Sequence, residues 1–248
     1  VIAITGKQLD LRPWLDSGGS NAAAKPAQTA VDQAVLHKAE WDQPTHLVVD
    51  LARLQTSNEG AFSNLKLDVN WDGSNGYDGT GTGQTLDGSP LALSLKNEGH
   101  YSLFSLKTDN LGDVIRTGTG IRNVRGGSAV IEGAYSHGQI DADLRGHAIR
   151  VKQIPALAQL LTVASLQGLA DTLTGDGIAF TDFDLPVRYK DNSLFIKNGW
   201  AKGDAIGINV WGTTDLDSKK LNLSGTIIPA YSINGMFGDV RRQGLGLV

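Results

Sequence analysis

The most constraining feature of this chain is a two-residue periodicity that starts at Leu47 and continues almost to its end. Leu47, Val49 and Leu51 form one alternating set, then Leu65, Leu67, Val69 and Trp71, then Leu91, Leu93 and Leu95. The sets Ala129, Ile131, Gly133, Tyr135; Ile140, Ala142, Leu144; and Ile149, Val151 follow. Beyond Thr174 come Leu185, Val187, Tyr189; Leu194, Ile196, Trp200; Ile206, Ile208, Val210; and Leu221, Leu223, Ile227. Successive residues of a strand point to opposite faces, so each set predicts a strand with one apolar face. The residues between are polar, as Lys66, Asp68 and Asn70, Asp141 and Asp143, or Asn222 and Ser224 show. Short turn sequences join the sets: Tyr135-Ser136-His137-Gly138, Asp191-Asn192, Gly203-Asp204 and Asp215 to Lys219. Connections that short permit only antiparallel neighbours. The predicted class is mainly β: a long, curved antiparallel meander, dry on one face and wet on the other. Such a sheet must curl, close into a barrel or cover its apolar face.

A helical period interrupts the strands from Pro155 to Leu173. Leu157, Leu160, Leu161, Ala164, Leu169 and Leu173 recur at helical spacing, with Pro155 suited to the first position and Gly175 to the close. A shorter helix is predicted at Asp109–Thr117. One or two amphipathic helices therefore pack on the sheet. At the start of the chain, residues 1–17 read as the end of a preceding β segment, and 18–33 as a flexible linker or loop rich in Ala, Gly and Ser. Residues 34–248 form the main β domain. Val1 opens directly on a strand-like run, so any anchor or targeting segment is expected upstream. The 31 glycines among 248 residues exceed the usual share of about 7%. That excess, without a three-residue period, fits many tight turns.

Catalytic and metal-binding patterns are weak. Asp68-Val69-Asn70-Trp71-Asp72-Gly73 begins like a calcium loop, but the twelfth position, where a bidentate Glu is needed, is Gly79. A hairpin tip on Asp72-Gly73 is the simpler reading. Gly79-Thr80-Gly81-Thr82-Gly83 lacks the Lys-Ser/Thr and the following helix of a phosphate cradle, and reads as a loop. His37, His46, His100, His137 and His147 include no i, i+4 pair suited to zinc. Ser63-Asn64-Leu65-Lys66 is a chance S-x-x-K on a strand, and no serine sits in a nucleophile elbow. Cysteine is absent, which removes disulfides and thiol chemistry, and the net charge of −4 offers no footprint for nucleic acid. The expectation is a protein that is not an enzyme and carries no cofactor or metal.

The apolar face is the remaining unusual feature. On pattern alone it is either an ordinary sandwich or barrel core, or a groove whose dry face contacts lipid chains.

Several phrases resemble the C-terminal region of the AsmA-like proteins of Gram-negative bacteria, particularly the large YhdP-type members. They are Gly112-Asp113-Val114-Ile115-Arg116 with Arg125-Gly126-Gly127, and Ile154-Pro155-Ala156-Leu157-Ala158-Gln159-Leu160-Leu161. Leu173-Thr174-Gly175-Asp176-Gly177-Ile178-Ala179-Phe180, Gly203 to Gly212 with Asp215, and Gly225-Thr226-Ile227-Ile228-Pro229-Ala230-Tyr231-Ser232-Ile233-Asn234 complete the set. The resemblance implies a taco-like β-groove with a hydrophobic interior. It also implies a periplasmic segment of an inner-membrane-anchored protein that moves phospholipid between inner and outer membranes. The implied groove lining is Leu194, Ile196, Ile206, Ile208, Val210, Leu221, Leu223 and Ile227, with Leu157, Leu160, Leu161 and Ala164 on a helix capping it. Phospholipid is the implied partner, membranes being reached through flanking segments, with further envelope partners unidentified. A scaffold domain with a sealed core is the alternative.

Overall fold

The computed structural model describes residues 1–15, 43–74, 76–163, 166–216, 218 and 220–229. The elements are β1 (Ile2–Gly6), β2 (Leu9–Asp10), α1 (Arg12–Leu15), β3 (Thr45–Ser57), β4 (Gly60–Trp71), β5 (Tyr77–Gln84), β6 (Pro90–Asn97) and β7 (Ser102–Thr108). After them come α2 (Leu111–Thr119), β8 (Val124–Ser136), β9 (Gln139–Val151), α3 (Pro155–Val163), α4 (Gln167–Thr174), β10 (Ile178–Lys190), β11 (Ser193–Lys202), β12 (Ile206–Asp215) and β13 (Lys220–Pro229).

All thirteen strands belong to one open sheet, and from β3 to β13 each strand pairs antiparallel with the next in sequence. The meander predicted from the turns is the fold. Two of its turns have residues with positive φ at both central positions, His137 (48°) with Gly138 (78°) and Asp191 (48°) with Asn192 (56°). That backbone matches the right-handed twist of a tight hairpin. The start of the chain differs from expectation. Residues 1–17, read as the end of a preceding segment, instead supply β1 and β2, both parallel to β3 in the same sheet. The predicted linker at 18–33 lies outside the described residues.

Two further differences concern strands. Gly79 to Gly83, read as a loop, is the body of β5, with Gly79, Gly81 and Gly83 on one face and Thr80 and Thr82 on the other. Trp200, grouped with Leu194 and Ile196 by period, faces the opposite way. A bulge between Ile196 and Gly199 adds one residue to β11 against both neighbours and flips the alternation.

The helices gather at one end of the strands, which we term the helix side; the β4–β5, β6–β7, β8–β9, β10–β11 and β12–β13 connections mark the other, the hairpin side. The helix predicted at 155–173 is two helices, α3 and α4, with Leu166 beginning the second. Leu161 and Leu173 are fully buried against Ile178, Phe180 and Ile206. A positive φ at Gly127 (81°) and Ala148 (56°) creases the sheet here. As a result Phe180 and Phe183, three apart on β10, are both in the same core. Helix α2 agrees closely with the prediction at Asp109–Thr117. Asn110 caps it by accepting from the Asp113 N–H at 3.0 Å, and Gly120 in the left-handed region ends it. It packs on β8 through Gly112 and on β3 and β4 through Thr117, whose carbonyl accepts from Thr56 and Ser57. A buried polar link secures it further: the Thr85 hydroxyl donates to Asp113 at 2.5 Å, and Arg116 bridges Asp113 and Asp87. Burial pushes the Asp113 carboxyl up, but its hydrogen bonds and the Arg116 charge outweigh this and hold it low.

Candidate functional site: an uncovered apolar face

Strand register carries apolar side chains across the sheet in continuous rows. One row runs Leu47, Val69, Gly79, Leu95, Phe104, Gly133, Ala142, Val187, Ile196, Gly212, Leu223, one residue from each strand β3 to β13. The adjoining row begins Val49, Leu67, Gly81, Leu93, Leu106, Ile131, Leu144, Leu185. Neither contains a charge. Every row alternates with polar rows on the opposite face, so the sheet is two-sided in the way the periodicity requires.

Among the described residues, the helices cover this face at the helix side. Leu51, Ala129, Ile149, Ile178, Phe180 and Phe183 are buried there, and Val49 and Ala142 are buried nearer the hairpin side. Toward the hairpin side Leu67, Leu93, Leu106, Ile131, Leu144, Leu185 and Val210 are only half-buried. No second sheet lies over them among the described residues.

The sheet bends toward its apolar face at the hairpin side. The Tyr77 N–H donates to Ser102 Oγ at 2.6 Å, although β5 and β7 are two strands apart, roughly 10 Å in a flat sheet. The rings of Tyr77 and Tyr135 meet edge-on at 5.6 Å across three strand steps, and Trp71 stacks on Tyr77 at 6.4 Å. Beside them Thr45, Leu47, Val69, Trp71 and Tyr77 line an apolar cavity of about 210 Å³. Glycines on the inner rows let neighbouring side chains lie close to the backbone. A Cβ at Gly133 would sit 2.3 Å from the Asp141 carbonyl oxygen.

The eight lining residues named from the sequence do share this face: Leu194, Ile196, Ile206, Ile208, Val210, Leu221, Leu223 and Ile227 fall in register across β11 to β13. They are not equally accessible. Leu221 is 68% and Leu223 43% exposed, whereas Ile206 is 0% exposed beneath the helices. Ile206 is therefore corrected from lining to core, because α3 and α4 seal that position. Ile208 and Ile227 pack at the margin of the same core, as does Leu157, while Leu161 is part of the core itself. The side chain of Leu160 and residue Ala164 lie outside the described residues. The rows on β3 to β10 were missing from the named set, though their alternation is equally visible in the sequence.

A cavity of about 560 Å³ lies on the polar face instead. Ser128, His147 and Asp182 stand opposite one another across β8, β9 and β10, and His147 Nδ1 is 2.7 Å from Asp182 Oδ1. That hydrogen bond holds the Asp182 carboxyl below the usual range. The order imitates a hydrolytic triad, but Ser128 makes no hydrogen bond to the imidazole, and His147 is 71% exposed. Water competes freely at each of these groups, so the row lacks an activated nucleophile. The calcium-loop carboxylates also stay apart. Asp68 pairs with His46 at 2.7 Å, while Asp72 accepts from Ser74 N, Gly76 N and Asn97 Nδ2 at 2.8, 3.0 and 2.9 Å. Backbone N–H donors at Ser74 and Gly76, with Asn97, hold the Asp72 carboxyl down to about 2. The described residues contain no cluster of three or more His, Asp or Glu suited to a metal, and no helix among them is long and apolar enough to cross a membrane.

Compared with family models, curated proteins and solved structures, the chain shows no match to any of them. The likeness to AsmA-like proteins thus rests on the residue phrases alone.

Proposed function

We propose that this chain is a non-enzymatic lipid-binding module. Phospholipid acyl chains lie on the apolar face between the helix cover and the hairpin side, as in a segment of an AsmA-like protein that moves phospholipid between inner and outer membranes. The observation that carries this reading is the row of inner residues continuing through eleven strands without a charge and, among the described residues, without a second layer over it. A face of that kind in water is costly, and each methylene buried against it contributes about 0.8 kcal/mol. Periplasmic residence and attachment to the inner membrane through flanking segments belong to the same proposal and are supported by the phrase resemblance.

The sealed-scaffold reading has one observation in its favour, the full burial of Leu161, Leu173, Ile178 and Ile206. That burial stops at the helix side, and the half-buried rows beyond it favour the lipid reading. Mass spectrometry of an organic extract of detergent-free protein tests the choice. Near-stoichiometric phospholipid supports the groove; a blank from protein purified without detergent would return the face to a scaffold role.

A further inference from the structure

A second property of the apolar face is the way its polarity ends. From β4 to β8 the last inner-face row on the hairpin side differs in kind from the row beside it: it holds Trp71, Tyr77, Asn97, Ser102 and Tyr135, and beyond Ile140 on β9 it adds Tyr189 on β10 before turning aliphatic again at Leu194 and Leu221. The neighbouring row, one step inward, is wholly apolar. Three of the four tyrosines among the described residues occupy the outer row, and the fourth, Tyr101, is in the hairpin between β6 and β7 at the same edge. Phenylalanines Phe104, Phe180 and Phe183 lie on the inner rows instead. Amphipathic rings therefore mark a line where a hydrocarbon surface meets water, the setting in which Tyr and Trp place a polar tip outward and an apolar body inward.

The polar tips are tied to the strand ends. The Trp71 indole N–H donates to the Ser74 carbonyl at 3.1 Å, and the Tyr189 hydroxyl donates to Asn192 Oδ1 at 3.3 Å. Burial, then the neighbouring Tyr135, pushes the Tyr77 hydroxyl up from its ordinary value, so it stays a neutral donor. Each phenolic oxygen keeps acceptor capacity beyond these bonds. No Lys, Arg, Asp or Glu occupies the row among the described residues.

We propose that this row is the head-group subsite of the lipid face, and that it selects amphipaths whose head carries no net charge. The assignment rests on the lipid-binding reading above. Acyl chains lie on the inner rows, and the glycerol, ester or zwitterionic part sits against the hydroxyls of Tyr77, Tyr135 and Tyr189. An anionic head gains no cation there and meets a chain of net charge −4.

The test measures binding of a pyrene-labelled alkane to the purified chain, and its displacement by lysophosphatidylcholine or lysophosphatidylglycerol of equal chain length below their micelle concentrations. The wild type should bind the alkane, and the zwitterionic lipid should displace it better than the anionic one. In Y77F/Y135F/Y189F, which keeps the rings, the alkane should bind unchanged while the zwitterionic lipid weakens about tenfold, as expected for several lost hydrogen bonds. Y189F alone, outside the ring contacts of Trp71, Tyr77 and Tyr135, provides a milder variant should the triple change disturb folding; it should show a smaller loss of the same sign. If the wild type fails to bind the alkane, the lipid-binding reading falls and takes this one with it. If the alkane binds but both lipids displace equally, or the Tyr→Phe changes leave displacement untouched, the head-group subsite alone is overturned.

Discussion

At the scale of single residues, Asp72 shows how a sequence that imitates one site builds another. Its carboxylate is filled by two backbone N–H groups and Asn97, which fixes the β4–β5 hairpin and leaves no oxygen aimed at a shared ion. Because its folded value is about 2, below the ordinary 3.8, its stabilising contribution is complete above pH 3.8 and disappears as pH falls toward 2. Thermal melts across pH 2–5 should therefore show a steeper acid loss in the wild type than in Asp72→Asn. Gly133 makes a second prediction. With a Cβ there only 2.3 Å from the Asp141 carbonyl, Gly133→Val should destabilise by about 1–3 kcal/mol in urea unfolding. The glycines also show where sequence reading failed. Gly79, Gly81 and Gly83 alternate as strictly as any leucine set, but periodicity counts apolar side chains and glycine contributes none. The outward Thr80 and Thr82 were the legible signal. Trp200 failed for another reason: a bulge has no composition of its own, and one extra residue in β11 reverses every later assignment on that strand.

At the scale of elements, the strand sets from Leu47 to Ile227 were readable because each buries one face and is bounded by turns whose residues accept positive φ. The helix at 155–173 was readable as a period but not as two pieces, since its apolar positions stay in phase across the junction. What the helices cover was not readable, because nothing local in α3 specifies contact with β10 and β12. That cover holds the largest fully buried side chains among the described residues. Leu161→Ala, at a fully buried position, should cost about 2–5 kcal/mol by chemical denaturation. Thr85→Val should loosen α2 by leaving an Asp113 oxygen without its buried donor, lowering the melting temperature without changing the secondary structure seen by circular dichroism.

At the scale of the whole molecule, the same sheet is two things among the described residues: sealed where helices lie on it and half-buried along most of the rows beyond them. Substitutions on one face should therefore separate by position. Ile208→Asp, beside the sealed core, should unfold the protein, whereas Leu223→Asp, 43% exposed, should leave the fold intact and reduce lipid occupancy severalfold. The most direct test is photo-crosslinking with a benzophenone amino acid placed singly along β12, at Val210 on the apolar face and at Asn209 on the polar one, in cells supplied with labelled phosphate. Crosslinks to phospholipid from position 210 and none from 209 is the predicted result, since adjacent residues of one strand face opposite sides. Equal labelling from both positions, or none from either, would contradict a lipid-binding face.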